Sequence, residues 1–202
     1  MNIKKALISV WDKTNVSQFS KALIERGVKV VATSDTACYL RSQGVEVAQI
    51  DEVLKFSESF QNNVKSIHPE NLATIPMNSL SEFHFQILKD LSIESFDLVV
   101  VNLRPFRLND ALNEEEVLQN IDIARMTLLR IAAKNYRNII PVCDPRDYGM
   151  IVESIDRCGD VELQKRRVLC AKAFLFCYRY DEKVFKTLCD LFALDESELR
   201  KS

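Results

Sequence analysis

The first fifty residues alternate between short apolar runs and amphipathic stretches. ALISV, Ala6 to Val10, is a continuous apolar run that reads as a buried strand. From Asn15 onward apolar residues recur at Val16, Phe19, Leu23 and Ile24, the spacing of one helix face, which Gly27 ends. VKVVAT, Val28 to Thr33, predicts a second strand; the loop TSDT leads into a short helix, Thr36 to Gln43, stopped at Gly44; VEVAQI, Val45 to Ile50, predicts a third strand. Strands and helices in alternation, joined by short links, imply a parallel sheet wrapped by helices. The pattern resumes with FDLVVVNL, Phe96 to Leu103, a run of the kind found in a central strand covered on both faces. Glu114 to Lys134 predicts one helix, and Asn138 to Pro145 a further strand ending in a proline turn. Beyond Asp147 only helices are predicted, over Tyr148 to Cys158 and Val161 to Leu194. The expected architecture is an α/β body over residues 1–147, followed by a helical segment of the same unit over 148–202.

Composition narrows the function classes. A chain of 202 residues suits one ordinary domain with a helical appendage. With 27 basic against 29 acidic residues the net charge is close to zero, so neither nucleic acid nor an anionic membrane is expected as a partner. No apolar stretch reaches bilayer length, and the N-terminal run is broken by Asp12 and Lys13, too early for a signal-peptide core. The six cysteines stand apart and the chain has only two histidines, so no zinc site is expected. The cysteines read as reduced thiols of a cytoplasmic protein, serving as small apolar residues of the core.

In an open parallel sheet, ligands gather beyond the carboxyl ends of the strands, where loops feed helix N-termini. The residues there are Trp11-Asp12-Lys13-Thr14, Thr33-Ser34-Asp35-Thr36, Asn102 to Pro105, and Cys143-Asp144-Pro145. Another stretch, NVKSIHPENL from Asn63 to Leu72, gathers Lys65, Ser66 and His68 around a proline. Ammonium groups, hydroxyls and backbone N–H groups at a helix start are what a phosphate requires. Each piece also has a plain structural use: Ser34 or Asp35 as a helix cap, Lys13 and Lys65 as solvated lysines, His68 as a turn residue.

Taken in order, ALISVWDKT, VVATSDTACYLRSQGVEV, NNVKSIHP, FDLVVVNLRPF, NIDIARMTLLRIAAKNY, PVCDPRDY and RRVLCAKAFLFCYRYD resemble the IMP cyclohydrolase domain, one half of the bifunctional AICAR transformylase/IMP cyclohydrolase of purine biosynthesis. The transformylase half has no counterpart here. The resemblance implies a methylglyoxal-synthase-like three-layer α/β fold, a homodimer, and closure of formyl-AICAR to IMP with release of water, using neither metal nor cofactor. It also implies a purine nucleotide monophosphate as ligand, the protein acting alone or beside a separate transformylase. Carried over residue by residue, it gives Lys65 and Lys134 the oxyanion and proton-transfer roles and Asp122 the task of orienting the amide or accepting a proton. Substrate contacts fall on Ser9, Trp11, Asp12, Lys13, Thr33, Ser34, Asp35, Thr36, Asn63, Val64, Ser66, Val101, Asn102, Arg104, Ile123 and Arg125.

Several of these positions depart from the family's motifs. Asn63 stands for a phosphate-gripping arginine, Trp11 for a serine, Arg104 for a tyrosine, and Ala124-Arg125 for a glycine pair. Thr33-Ser34-Asp35-Thr36 aligns with a Ser-Gly-Gly-Thr phosphate loop, so Asp35 places a carboxylate where the backbone would meet the phosphate. Two like charges about 5 Å apart repel by about 3 kcal/mol at an effective dielectric of 20, roughly a hundredfold in affinity. Two new cations, Arg104 and Arg125, could answer this, one by pairing with Asp35 or by replacing the missing arginine. Three functional readings stay open: a cyclohydrolase with a modified nucleotide pocket, a non-catalytic relative that binds another ligand or a protein, and an effector-binding module.

Overall fold

The computed structural model of the chain describes residues 3–50, 95–106 and 113–200. Within them the elements run β1 (Lys5–Ser9), α1 (Val16–Glu25), β2 (Lys29–Ala32), α2 (Ser34–Ser42), β3 (Ala48–Gln49), β4 (Leu98–Val101), α3 (Glu114–Gln119), α4 (Ile123–Lys134), β5 (Ile140–Val142), a 3-10 turn (Pro145–Asp147), α5 (Tyr148–Cys158), α6 (Leu163–Phe192) and α7 (Glu196–Leu199). The five strands form one all-parallel sheet in the order β3-β2-β1-β4-β5. From β1 the chain moves outward through β2 to β3, then returns to build β4 and β5 on the other side. The order therefore reverses between β1 and β4, which register as Ala6 with Leu98 through Ser9 with Val101.

The near-continuous apolar strands are explained by cover on both faces. Ala6 and Ile8 of β1, Val30 and Ala32 of β2, Leu98 and Val100 of β4, and Ile140 and Val142 of β5 join Val16, Phe19, Leu23, Leu40 and Ile151 of the helices on one face. The alternate residues Leu7, Val31, Val99 and Val101 pack with Met126, Leu129, Ala132 and Ala133 of α4 and with Ala173, Cys177 and Tyr180 of α6 on the other. The result is the expected three-layer α/β arrangement. The C-terminal helices are part of it. Tyr148 of α5 stacks on Phe19 of α1 with ring centroids 4.2 Å apart, and α6 lies along α4 and β5.

Three expectations require correction. The helix predicted over Glu114 to Lys134 is two helices, because Asp122 leaves the helical path and caps a new one: its carboxylate accepts from the backbone N–H of Arg125 at 3.1 Å. The third strand is only two residues long. The Arg41 side chain donates to the Val47 carbonyl at 3.2 and 3.0 Å, and so takes an acceptor that a longer strand would need for its ladder. The cysteines are not uniformly core residues: Cys143, Cys177 and Cys189 are buried and Cys170 partly so, but Cys38 and Cys158 are exposed. No helix among the described residues is long and apolar enough to cross a membrane.

Candidate functional site

The crevice at the strand-order reversal, beyond the carboxyl ends of β1 and β4, is where a parallel sheet of this kind holds a ligand. Asn102, the residue after β4, closes its floor. Its Oδ1 accepts from the backbone N–H groups of Trp11 at 2.6 Å and Asp12 at 2.9 Å, and its Nδ2 donates to the Asp12 carbonyl at 3.0 Å. The amide is 5% exposed, and its hydrogen-bonding capacity goes mainly into joining the two strand ends. Thr36, fully buried, does the same between β1 and α2: its hydroxyl meets both the N–H and the carbonyl of Val10 at 3.2 Å.

Asp35 sits in the first turn of α2, whose N-cap is Thr33. Neither Ser34 nor Asp35 is the cap. Instead the Asp35 carboxylate receives Lys13 Nζ at 3.2 Å and the Arg125 guanidinium at 2.9 Å, with the Thr33 hydroxyl 3.1 Å from its other oxygen. The pairing expected between Asp35 and a new arginine is present, and Arg125 makes it. That guanidinium is a fork with two anchors, since its other terminal nitrogen meets Asp122 at 3.2 Å. Lys13 also donates to the Val10 carbonyl. Burial pushes its ammonium below the ordinary lysine value, against the pull of Asp35. Asp12 is held below the usual carboxylate range, chiefly by the hydroxyl and backbone N–H of Thr14.

The Asp122 carboxylate is nearly enclosed, with a side chain 8% exposed. Besides Arg125 it accepts from the Arg104 backbone N–H at 3.2 Å, and its own N–H donates to the Tyr180 hydroxyl at 2.8 Å. The Arg104 side chain lies over the Trp11 ring, 4.9 Å from its centroid. Trp11 itself is 45% exposed at the rim. The structure thus brings Trp11, Asp12, Lys13, Thr33, Asp35, Thr36, Asn102, Arg104, Asp122 and Arg125 into one neighbourhood. Ser9 is buried beneath it with its hydroxyl 3.1 Å from that of Thr33. Ser34 stands at the start of α2 beside Gln49. Val101 points into the core, and Ile123 is exposed at the start of α4.

Lys134 does not join them. It is the last residue of α4, whose N-cap is Asp122, and twelve residues of α-helix place the two about 18 Å apart along the axis. The expectation that Asp122 and Lys134 face one small volume of a single chain is therefore not met. Lys65, Asn63, Val64 and Ser66, with His68, lie outside the described residues.

A second group of charges gathers around Asp144, of which only the strand-end run Cys143-Asp144-Pro145 was anticipated. A cleft of about 470 Å³ opens between the loop after β4, the end of β5 and α6, lined among others by Phe106, Cys143, Asp144, Lys172 and Arg179. Asp144 caps the turn after β5 and is gripped by Arg146 and by Lys172, the latter at 3.0 Å, while Lys172 also meets Asp147 at 2.7 Å. The hydrogen bonds from Arg146 hold the Asp144 carboxyl well below the usual range, and burial pushes the Cys143 thiol up to about 12, which disfavours its thiolate. The sequence signal for this cluster was the Asp-Pro-Arg-Asp run after a strand; its partner Lys172 lies 25 residues beyond Asp147 and carries no signal of its own.

Residues 15–127 match the family model described as "MGS-like domain". The chain belongs to the MGS-like family. Residues 132–201 of this MGS-like protein match a second model, described as "AICARFT/IMPCHase bienzyme". Among curated proteins it is 38% identical over 201 residues to the "Bifunctional purine biosynthesis protein PurH" of Bacillus subtilis (strain 168), covering 98% of this chain and 39% of the relative. It is 35% identical to the protein of the same name from Fusobacterium nucleatum subsp. nucleatum, covering 93% of this chain and 38% of the relative. The chain thus spans about two fifths of the length of the curated relatives it matches. A solved structure, "Crystal structure of ForH", superposes with a TM-score of 0.82 at 26% identity, covering 94% of this chain and 97% of that one.

Proposed function

We propose that this MGS-like protein is a purine-biosynthesis protein of the IMP cyclohydrolase type, cytoplasmic and homodimeric, that closes formyl-AICAR to IMP with attenuated activity. The observation that carries the reading is the convergence of Lys13, Asn102, Asp122 and Arg125 at the strand-order reversal, in a chain similar to the PurH proteins over nearly its whole length. In the reaction the carboxamide nitrogen attacks the formyl carbon, a C–N bond forms, and the formyl oxygen leaves as water. Holding the two groups in contact supplies most of the acceleration, because the step is intramolecular. Lys65 stabilises the developing oxyanion and Asp122 orients the amide. Asp122 is already held in place by three donors, which fixes its position but leaves little free acceptor capacity, and that is a reason for a reduced rate. Lys134 has no part in the single-chain site. An exposed apolar face of α6, with Val168, Phe174, Leu175 and Tyr178, supports the homodimer.

A second reading, a ligand-binding relative without catalysis, is favoured by the closed ion-pair network around Asp35. An absorbance assay for ring closure, together with calorimetry using IMP and formyl-AICAR, separates the two. Turnover that disappears in Lys65→Ala is the expected result. Saturable binding without turnover supports the second reading, and binding of neither these nucleotides nor inosine overturns both.

A further inference from the structure

We infer that Asp35 is a built-in occupant of the anion seat at the start of α2, so that the pocket takes a nucleoside, or another ligand with no phosphate at this end, in preference to the monophosphate. This rests on the second reading given above, a purine-type ligand-binding relative without catalysis, and it names the ligand class that such a site selects.

The N-terminus of a nine-residue helix that follows a parallel strand attracts an anion, through its N–H groups and its dipole. Here an anion is already present. Asp35 lies in that first turn and holds the two cations that a phosphate would need, Lys13 at 3.2 Å and Arg125 at 2.9 Å, with the Thr33 hydroxyl at 3.1 Å. Charge balance among the described residues points the same way: Lys13, Arg104 and Arg125 stand against Asp12, Asp35 and Asp122, so a phosphate dianion entering this cluster meets no net positive charge from them.

The glycines offer no alternative cradle. The chain has four glycines; Gly27 and Gly44 close α1 and α2 with positive φ, Gly159 closes α5, and Gly149 lies within α5. None is left for a loop in which main-chain N–H groups approach a phosphate closely. Trp11 changes the rim in the complementary direction. Its half-exposed indole carries the Arg104 guanidinium over the ring, and the exposed remainder suits an uncharged aromatic base.

For a phosphate to bind, Asp35 must swing out and give up both ion pairs, or remain and repel it. Repulsion at about 5 Å corresponds to roughly a hundredfold loss of affinity. The test is calorimetry on the full chain with inosine and IMP, for the wild type, Asp35→Asn and Asp35→Gly. Asn is isosteric and removes only the charge, so it keeps the comparison valid if the glycine variant fails to fold. The wild type is expected to bind inosine more tightly than IMP, and both variants to shift the ratio at least tenfold toward IMP. Tighter binding of IMP by the wild type, or a ratio that Asp35→Asn leaves unchanged, overturns the inference while the purine-type site stands. No binding of either compound to any of the three proteins overturns the purine-type reading, and this inference with it.

Discussion

At the scale of single residues, most of the polar side chains at the β1–β4 crevice hold the protein together before they could hold a ligand. Asn102 uses both ends of its amide to join two strand termini, so Asn102→Ala leaves two backbone N–H groups and a carbonyl without their partner. The expected loss is about 2 to 3 kcal/mol, read as a lower urea midpoint with an unchanged slope. Asp144 gives a pH-dependent counterpart. Its folded pKa is depressed below 3.8, the ordinary carboxylate value, so its contribution is fully present above that pH and is lost as pH falls through the folded value. Because Arg146 is largely exposed, Asp144→Asn is expected to cost only about 1 kcal/mol at neutral pH. The wild-type and variant stabilities should converge below pH 3.8, as measured by urea titrations at a series of pH values. A pair between Asp35 and one of the two new arginines was legible as a possibility from the charge replacements in the sequence, but that Arg125, in the first turn of α4, makes it was not. The three hydrogen bonds of Asn102 were not, because an asparagine after a strand fits a ligand contact and a backbone staple equally well.

At the scale of elements, the strands were readable from their apolar runs, and the helix ends from Gly27 and Gly44. The break at Asp122 was missed because apolar spacing continues through Ile121 and Ile123, and the cap becomes visible only once the Arg125 N–H is placed. The separation of Asp122 from Lys134 could have been found: twelve residues read as helix cannot bring both side chains to one point, whatever their match to a family motif. Arg166 gave no signal at all, since a basic residue near a helix start is ordinarily solvated. It is 4% exposed, and its guanidinium meets Asp160, the Val161 carbonyl at 2.8 Å and the Arg137 carbonyl at 3.0 Å. It thereby ties the start of α6 to the link between α4 and β5. Arg166→Met should cost about 3 kcal/mol, because methionine fills the volume but leaves the carbonyls buried without donors. Arg166→Lys should recover less than half of that in the same urea series, since one ammonium cannot reach all three acceptors.

At the scale of the whole molecule, α6 completes, with α4, one side of the core. Leu169 sits in the cluster on one face, and Ala173, Cys177 and Tyr180 sit against Val99, Val101 and α4 on the other. A chain ending at Gly159 would leave the part of that side under α6 in water, and no single cooperative transition is expected from it in calorimetry or urea. If such a chain unfolds cooperatively with near-native stability, α6 is an appendage rather than a layer. The division into a body over 1–147 and a following segment therefore describes the order of elements along the chain better than it describes how they fold.

The outer edge of the sheet limits how the protein can associate. Pro141 lies in β5, the last strand on its side among the described residues, opposite Val99. Ile140 directs its N–H inward to the Asp97 carbonyl, so the alternation of a strand turns the proline nitrogen outward, where an added strand would look for a donor. A gap at that point blocks templated growth along this border. Strand-on-strand association at this border is then disfavoured, and colloidal behaviour at high concentration should worsen when Pro141 is replaced by valine.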